Sequence, residues 1–326
     1  MISKATFIFT ALLGMDLTFG GALARALPNF RVNFLNVGQG DSILIETAEQ
    51  NHILVDGGAG DTVLAEIGNE LPYFFDEIDL MVLTHPHDDH LQGLIPILER
   101  FKVGAVLMSA PRYESPAYEA FLEEVNELNT CGIFARAKIK KQKNCSGKLQ
   151  VYFAESGTDF RLGDTEIEVL YPFAQVTGQE FLDVNDSSIV MKISERGHSV
   201  LLTGDAGIGA EEACARAQSC GGALSADILK VGHHGSKYST SAELLQSVRP
   251  AVVAISVGEN SYGHPSPEML TRAQEAGAEI LRTDLDGRVS IRFNDCARAQ
   301  NMGGKFYSLI RSIFAPRERS FESSCS

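Results

Sequence analysis

The sequence predicts an α/β fold arranged as a four-layer sandwich: two β-sheets back to back, with helices on both outer faces. Two observations carry this. Short apolar, strand-like runs alternate with amphipathic helical segments in both halves of the chain. Several of those runs end in turns dense in His, Asp and Gly, so the loops at one edge of such a core would gather the polar clusters.

In order along the chain, residues 30–35 read as a strand and feed Asn36-Val37-Gly38-Gln39-Gly40-Asp41, a tight turn. Residues 42–46 and 52–55 are the next strands, the latter ending in Asp56-Gly57-Gly58. Spaced apolar residues over 62–67 predict a helix. The run 78–84 is a buried strand, 91–100 the opening of a helix, and 103–108 another strand. An amphipathic helix is expected over 117–128, and 131–150 lack a clear period and read as an excursion loop. In the second half, strands are expected over 166–170, 188–193, 200–203, 227–231 and 251–257. Helices are expected over 210–218, 241–248 and 267–276, the last with Pro267 at its start. Residues 280–282 and 289–293 read as closing strands around an Asp286-Gly287 turn.

The chain has 326 residues. Residues 1–26 read as a secretory leader: Lys4, an apolar stretch, then Ala24-Arg25-Ala26 as a small-x-small cleavage site, with Asp16 and Arg25 running against that pattern. Residues 27–295 form the expected main domain and 296–326 a poorly patterned tail. After leader removal no stretch is long enough for a membrane span, so a secreted or periplasmic protein is expected. The cysteines are Cys131, Cys145, Cys214, Cys220, Cys296 and Cys325; an even number outside the polar clusters suits disulfides, with Cys131–Cys145 and Cys214–Cys220 the nearest pairs. The net charge of −14 argues against a surface that holds nucleic acid by broad electrostatics, although bound divalent ions make a cleft locally positive. The Lys-rich stretch 138–148 reads as a solvated loop.

The densest chemistry lies in Thr84-His85-Pro86-His87-Asp88-Asp89-His90, with three imidazoles and two carboxylates in seven residues. His85 and His87 alternate along extended backbone and can face one cation. Asp89 and His90 follow as the chain turns, and invite a second ion; Asp88 reads as structural. So many ionisable groups are costly to bury without a metal. Asp205, after Gly204 at a strand end, can bridge two ions, because a shared carboxylate offsets their repulsion. Two later loops carry His233-His234-Gly235-Ser236 and His264-Pro265. One supplies the remaining ligand of the second ion; the other protonates a leaving group or steadies developing charge. Asp56 can orient a ligating imidazole. His52, in a strand, and His198, in an expected hairpin turn, read as non-catalytic.

Together these pieces resemble the metallo-β-lactamase superfamily, through His85-x-His87-x-Asp89-His90 with Asp56 before it and Asp205 after it. More narrowly, the chain resembles the hydrolase domain of the ComEC/Rec2 competence proteins. The matching segments include Asn36 to Ser42, Val55 to Gly58, Asn185 to Val190, Leu202 to Asp205, Leu229 to Ser236 and Tyr262 to Pro265. The resemblance implies a metallo-β-lactamase-like αββα sandwich with two divalent metal ions, Zn2+ first and Mn2+ second. It implies His85 and His87 on the first ion, Asp89 and His90 on the second, and Asp205 between them. His264 is the preferred last ligand, with His233 or His234 as the catalytic imidazole beside Asp89, and the opposite assignment of the two loops open. A third first-ion His has no counterpart here; Asn185 or Ser188 approaches that position, and Asp41 joins Asp56 as a supporting carboxylate or weak ligand.

Metal-activated hydrolysis is therefore expected, with a phosphodiester as substrate, either DNA or another extracellular phosphodiester. A lactone, ester or amide hydrolase is the alternative within the same fold. A non-enzymatic secreted binding protein is the alternative outside enzymology. The oligomeric state is open.

Overall fold

The computed structural model describes residues 30–71, 75–134, 149–217, 220, 223–293 and 319–322. In chain order the first half contains β1 (Phe30–Phe34), β2 (Ile43–Glu46), β3 (His52–Val55), α1 (Thr62–Glu70), β4 (Glu77–Leu83), α2 (Asp88–Leu91), α3 (Leu94–Arg100), β5 (Lys102–Met108), α4 (Pro116–Phe134) and β6 (Gln150–Phe153). The second half contains β7 (Phe160–Leu162), β8 (Thr165–Tyr171), a 3-10 turn (Val184–Ser187), β9 (Val190–Glu195), β10 (His198–Leu202), α5 (Ile208–Arg216) and β11 (Ile228–Lys230). It continues through a second 3-10 turn (Gly232–Gly235), α6 (Ala242–Val248), β12 (Val252–Ile255), α7 (Pro267–Glu275), β13 (Glu279–Arg282), α8 (Thr283–Asp286), β14 (Val289–Phe293) and β15 (Arg319–Glu322).

The strands form two sheets, β15-β14-β1-β2-β3-β4-β5-β6 and β13-β12-β11-β10-β9-β8-β7. Alternation of side chains across the pleat builds three apolar layers. Phe34, Ile45, Val55, Val82 and Leu107 of the first sheet meet Ile193, Val200, Leu202 and Ala254 of the second. Leu44, Leu54, Met81 and Val106 point outward beneath the helices of the first half, which contribute Val63, Ile67, Leu94 and Phe121. On the opposite outer face, Leu201, Leu229 and Val253 pack against Ala210, Leu245 and Met269. The result is the α/β/β/α sandwich. β12, and β4 from Leu80 to Leu83, are buried on both faces and therefore read as unbroken apolar runs.

β3, β4 and β5 run parallel, as do β10, β11, β12 and β13. The turns after β3, β4, β10 and β11 begin with Asp56, Thr84, Thr203 and Val231, so the polar clusters lie at the carboxyl ends of parallel strands, the usual crevice of such sheets.

Several expectations are corrected. Residues 280–282 and 289–293 do not close a hairpin: β13 belongs to the second sheet and β14 to the first, where it pairs with β1. Between them α8 is capped by Gly287 at φ 71°, Asp286 accepts the Arg282 N–H, and Thr283 ties back to Val257, so the chain crosses between layers. The helix expected over 91–100 is two short helices divided at Gln92-Gly93, and Pro96 falls in the first turn of α3, where its missing N–H costs nothing. His198 opens β10 rather than a turn, and its ring stacks on Phe293 at 4.4 Å. Within the expected tail, Arg319–Glu322 adds a strand parallel to β14. Cys214 and Cys220 are disulfide-bonded with Cα atoms 5.4 Å apart. The leader, the Lys-rich stretch 138–148, and Cys145, Cys296 and Cys325 lie outside the described residues, as does the side chain of Cys131. No described helix is long and apolar enough to cross a membrane.

Candidate metal centre

The turn after β4 sets the first group of imidazoles. His85 is fully buried, and its Nε2 lies 3.1 Å from Nδ1 of half-buried His87. The chain then enters α2, which presents Asp89 and His90 in succession. Asp56, left-handed at φ 58°, reaches this turn from β3. Its carboxylate accepts the Thr84 N–H at 2.8 Å and the Thr84 hydroxyl at 2.7 Å, and its Oδ2 lies 2.8 Å from Nδ1 of His90. That contact fixes the His90 ring and directs Nε2 at Asp205 Oδ2, 3.2 Å away. Asp88 stays outside and accepts from Ser115 at 3.2 Å.

Gly40 sits at φ 133°, with its α-carbon against the Asp89 carbonyl where no Cβ fits. This close approach lets the Asp41 N–H donate to Asp89 O at 3.1 Å and buries the Asp41 carboxylate at the edge of the cluster.

The second half closes the group. The Asp205 N–H donates to Ser188 Oγ at 3.0 Å, which aims its buried carboxylate at His90. Beyond β11, His233 and His234 both adopt positive φ, 45° and 52°. Such backbone is uncommon outside glycine, and it turns His234 inward. His234 Nδ1 contacts the Ser256 carbonyl at 2.9 Å, and Nε2 lies 3.3 Å from Asp89 Oδ2 and 3.4 Å from Asp205 Oδ2.

His264 is braced through its backbone, and its ring Nδ1 is buried without a hydrogen-bond partner. Asn260 accepts its N–H at 3.1 Å and donates to its carbonyl at 2.9 Å, and its ring packs on His233 with centroids 5.3 Å apart. The donor groups drawn together among the described residues are His85–His90–Asp205, Asp89–His90–His234, Asp41–Asp56–His90 and Asp41–Asp205–His234, with ligand atoms within 4.8 Å in each. The imidazole that joins Asp89 and His90 in these groups is His234, and His264 is in none of them. His233 and His264 line its partly exposed rim. Asn185 is buried on the 3-10 turn beside the end of β4, where Ile189 N–H donates to Thr84 O, and its Oδ1 has no hydrogen-bond partner.

Lys230 is the residue that sequence reasoning missed. Its ammonium is fully buried on β11, donates to the Gly204 carbonyl at 2.8 Å, pairs with Asp41, and lies 3.4 Å from Asp205 Oδ1. A lone charge inside Ile228-Leu229-Lys230-Val231 was the signal available in the sequence.

The electrostatics follow from crowding. Burial raises carboxyl pKa values, yet His234, His90 and Lys230 outweigh it and hold Asp205 well below the usual carboxylate range. Burial opposes charge on His90, but Asp205 and Asp56 raise it well above the ordinary imidazole value. Against the same penalty, Asp205, Asp41 and Asp89 raise His234 to about 10. His85 and His87 are lowered by burial and by the charge on His90. For Lys230, burial is overcome by Asp41 and Asp205, and the pKa rises.

The donor set fits divalent cations. His90 Nε2, His234 Nε2 and Asp41 Oδ1 are buried without a hydrogen bond of good geometry, with carboxylates and imidazoles a few tenths of an ångström beyond ideal reach, while Asp41 Oδ2 is paired with Lys230. Convergent imidazole and carboxylate atoms of this kind are the ligands that zinc and manganese take.

The family model of the metallo-beta-lactamase superfamily matches residues 35–258. ComE operon protein 3 of Bacillus subtilis is 27% identical over 282 residues, covering 81% of this chain and 33% of that protein. Recombination protein 2 of Haemophilus influenzae is 29% identical over 275 residues, covering 82% of this chain and 29% of its own. The chain thus spans about a third of the length of these relatives. Among solved structures, the metallo-beta-lactamase fold protein YhfI of Bacillus subtilis is 13% identical with a TM-score of 0.46, covering 78% of this chain and 97% of that one.

Proposed function

This chain belongs to the metallo-β-lactamase superfamily, and from that membership we propose that it is a dinuclear metal-dependent phosphodiesterase acting on DNA or another extracellular phosphodiester. The family and the donor set support a metal-dependent hydrolase. The observation that carries the reading is the convergence of His85, Asp89, His90, Asp205 and His234 at the strand ends. The choice of a phosphodiester rests on similarity to proteins named for competence and recombination.

In this reading His85 and His87 would hold one ion, Asp89, His90 and His234 the other, and Asp205 would be shared by the two. Two divalent ions, Zn2+ or Mn2+, supply a Lewis acid and an activated water when bound. Asp56 holds the His90 ring in register, and Ser188 holds Asp205. Asn185, whose amide oxygen is buried without a hydrogen-bond partner, would be available to the first ion in place of a third imidazole. As the water oxygen bonds to phosphorus and the P–O ester bond breaks, one rim imidazole, His233 or His264, would take the proton the water loses and pass it to the leaving oxygen. Residues 27–295 are the hydrolase unit, exported by the leader at 1–26.

Elemental analysis and a substrate panel test this together. The expected result is close to two ions per chain, and cleavage of DNA, RNA or a bis-aryl phosphodiester that His85→Ala reduces to background. Cleavage of lactones or esters without any phosphodiester moves the assignment to acyl chemistry. A chain that takes up no metal and cleaves neither class is a binding protein.

A further inference from the structure

Lys230 is the only lysine buried among the described residues, and it lies where the two sheets meet. A buried ammonium needs close counter-charges and a hydrogen-bond acceptor to offset lost hydration. Lys230 has both: the Gly204 carbonyl at 2.8 Å, the Asp41 carboxylate in direct ion-pair contact, and Asp205 Oδ1 at 3.4 Å. Asp41 comes from the turn between β1 and β2, and Lys230 from β11, so the ion pair crosses from one sheet to the other.

The two oxygens of Asp205 are divided in the same way. Oδ1 faces Lys230, whereas Oδ2 lies 3.2 Å from His90 Nε2 and 3.4 Å from His234 Nε2. Given the metal centre proposed above, we propose that Lys230 is a fixed internal cation of that centre. It takes Asp41 as its counter-ion and holds Oδ1 of Asp205, so that Asp205 offers the ions a single oxygen and Asp41 offers none. Lys230 is thus a positioning residue, acting through two carboxylates.

Two opposite consequences follow. In the metal-free protein the ammonium neutralises carboxylates that otherwise repel one another across the sheet boundary. In the metal-loaded protein the same charge, beside carboxylates of the centre, would oppose the binding of divalent ions. Removing it should therefore destabilise the metal-free chain and tighten metal binding. These effects are linked, because a ligand stabilises most the variant that binds it most tightly.

The test uses the full chain and Lys230→Met, which keeps length and loses charge. After EDTA treatment the variant should melt about 5–10 °C below the parent. Calorimetric titration with Mn2+ alone should show binding about tenfold tighter, and the melting gap should narrow at saturating Mn2+. An equal loss of melting temperature with and without Mn2+, or unchanged or weaker Mn2+ binding, overturns the role of Lys230. If Lys230→Met fails to fold, Lys230→Met/Asp41→Asn removes both charges. It should fold and retain as many ions as the parent by elemental analysis, and loss of an ion overturns the assignment of Asp41. A parent that binds no Mn2+ or Zn2+ is a separate result and overturns the metal centre itself.

Discussion

At the residue scale, the orientation of His90 hangs on one carboxylate. Asp56 accepts two hydrogen bonds from Thr84 and meets His90 Nδ1, which leaves Nε2 for the cluster. Asp56→Asn places an amide NH2 against donors and loosens that ring. The expected outcome is a folded protein with Mn2+ or Zn2+ affinity reduced about 10–100-fold; calorimetric affinity equal to the parent's argues against the orienting role. His234 and His264 divide by a different measurement. His234→Ala should lose one ion by elemental analysis, whereas His264→Ala should keep both and lose turnover; the reverse pattern restores His264 as the ligand. The sequence could not separate these two, because both are imidazoles in loops at the same sheet edge. The difference arises from two left-handed residues and an asparagine-braced loop, features with no periodic signature. Asp56, His85 and Asp205 stand within three residues of the end of an apolar strand, and His90 shares the ligand-dense segment that His85 opens, so each could be picked out from the sequence. Lys230 was hidden inside such a strand, where a charge reads as an interruption.

At the scale of elements, the loop that carries His233 and His234 is braced from α5. Glu211 is buried and accepts the backbone N–H groups of Thr240 and Ser241 at 2.6 and 2.9 Å. Burial nevertheless dominates those bonds and pushes its carboxyl from 4.5 up to about 7. The folded chain therefore keeps a proton on Glu211 over a range where the unfolded chain has released it. The associated stability is fully present below about pH 4.5 and is lost as pH rises through about 7, by about 3 kcal/mol in all. Denaturant unfolding of the parent and Glu211→Gln between pH 4.5 and 8 reads this directly: the parent should lose stability relative to the variant as pH rises. Parallel curves remove Glu211 from the account. Elements with strong periodicity, such as β4, α7 and β12, were legible to within a residue or two. The Asp286-Gly287 turn was misread because the same local chemistry serves a hairpin and a crossing between layers, and only the pairing of β14 with β1 distinguishes them.

At the scale of the whole molecule, the candidate metal centre spans the boundary between the two sheets. The first half supplies His85, His87, Asp89 and His90, and the second supplies Asp205 and His234. Three of the four donor groups, those that include Asp205 or His234, draw on both halves, whereas Asp41–Asp56–His90 lies within the first, so a centre that uses Asp205 and His234 requires both sheets in their native relation. An ion bound to the folded chain alone stabilises it by about 2.7 kcal/mol at a concentration a hundred times its dissociation constant. For a domain of this size that corresponds to a rise in melting temperature of about 5 °C or more. Asp205→Asn weakens the shared ligand and should remove most of that rise, while Asp88→Asn, outside the cluster, should preserve it. Thermal melts of the three proteins with EDTA and with saturating Mn2+ distinguish the cases. A parent indifferent to metal, or an Asp205→Asn protein that gains as much as the parent, contradicts a centre that staples the sandwich together.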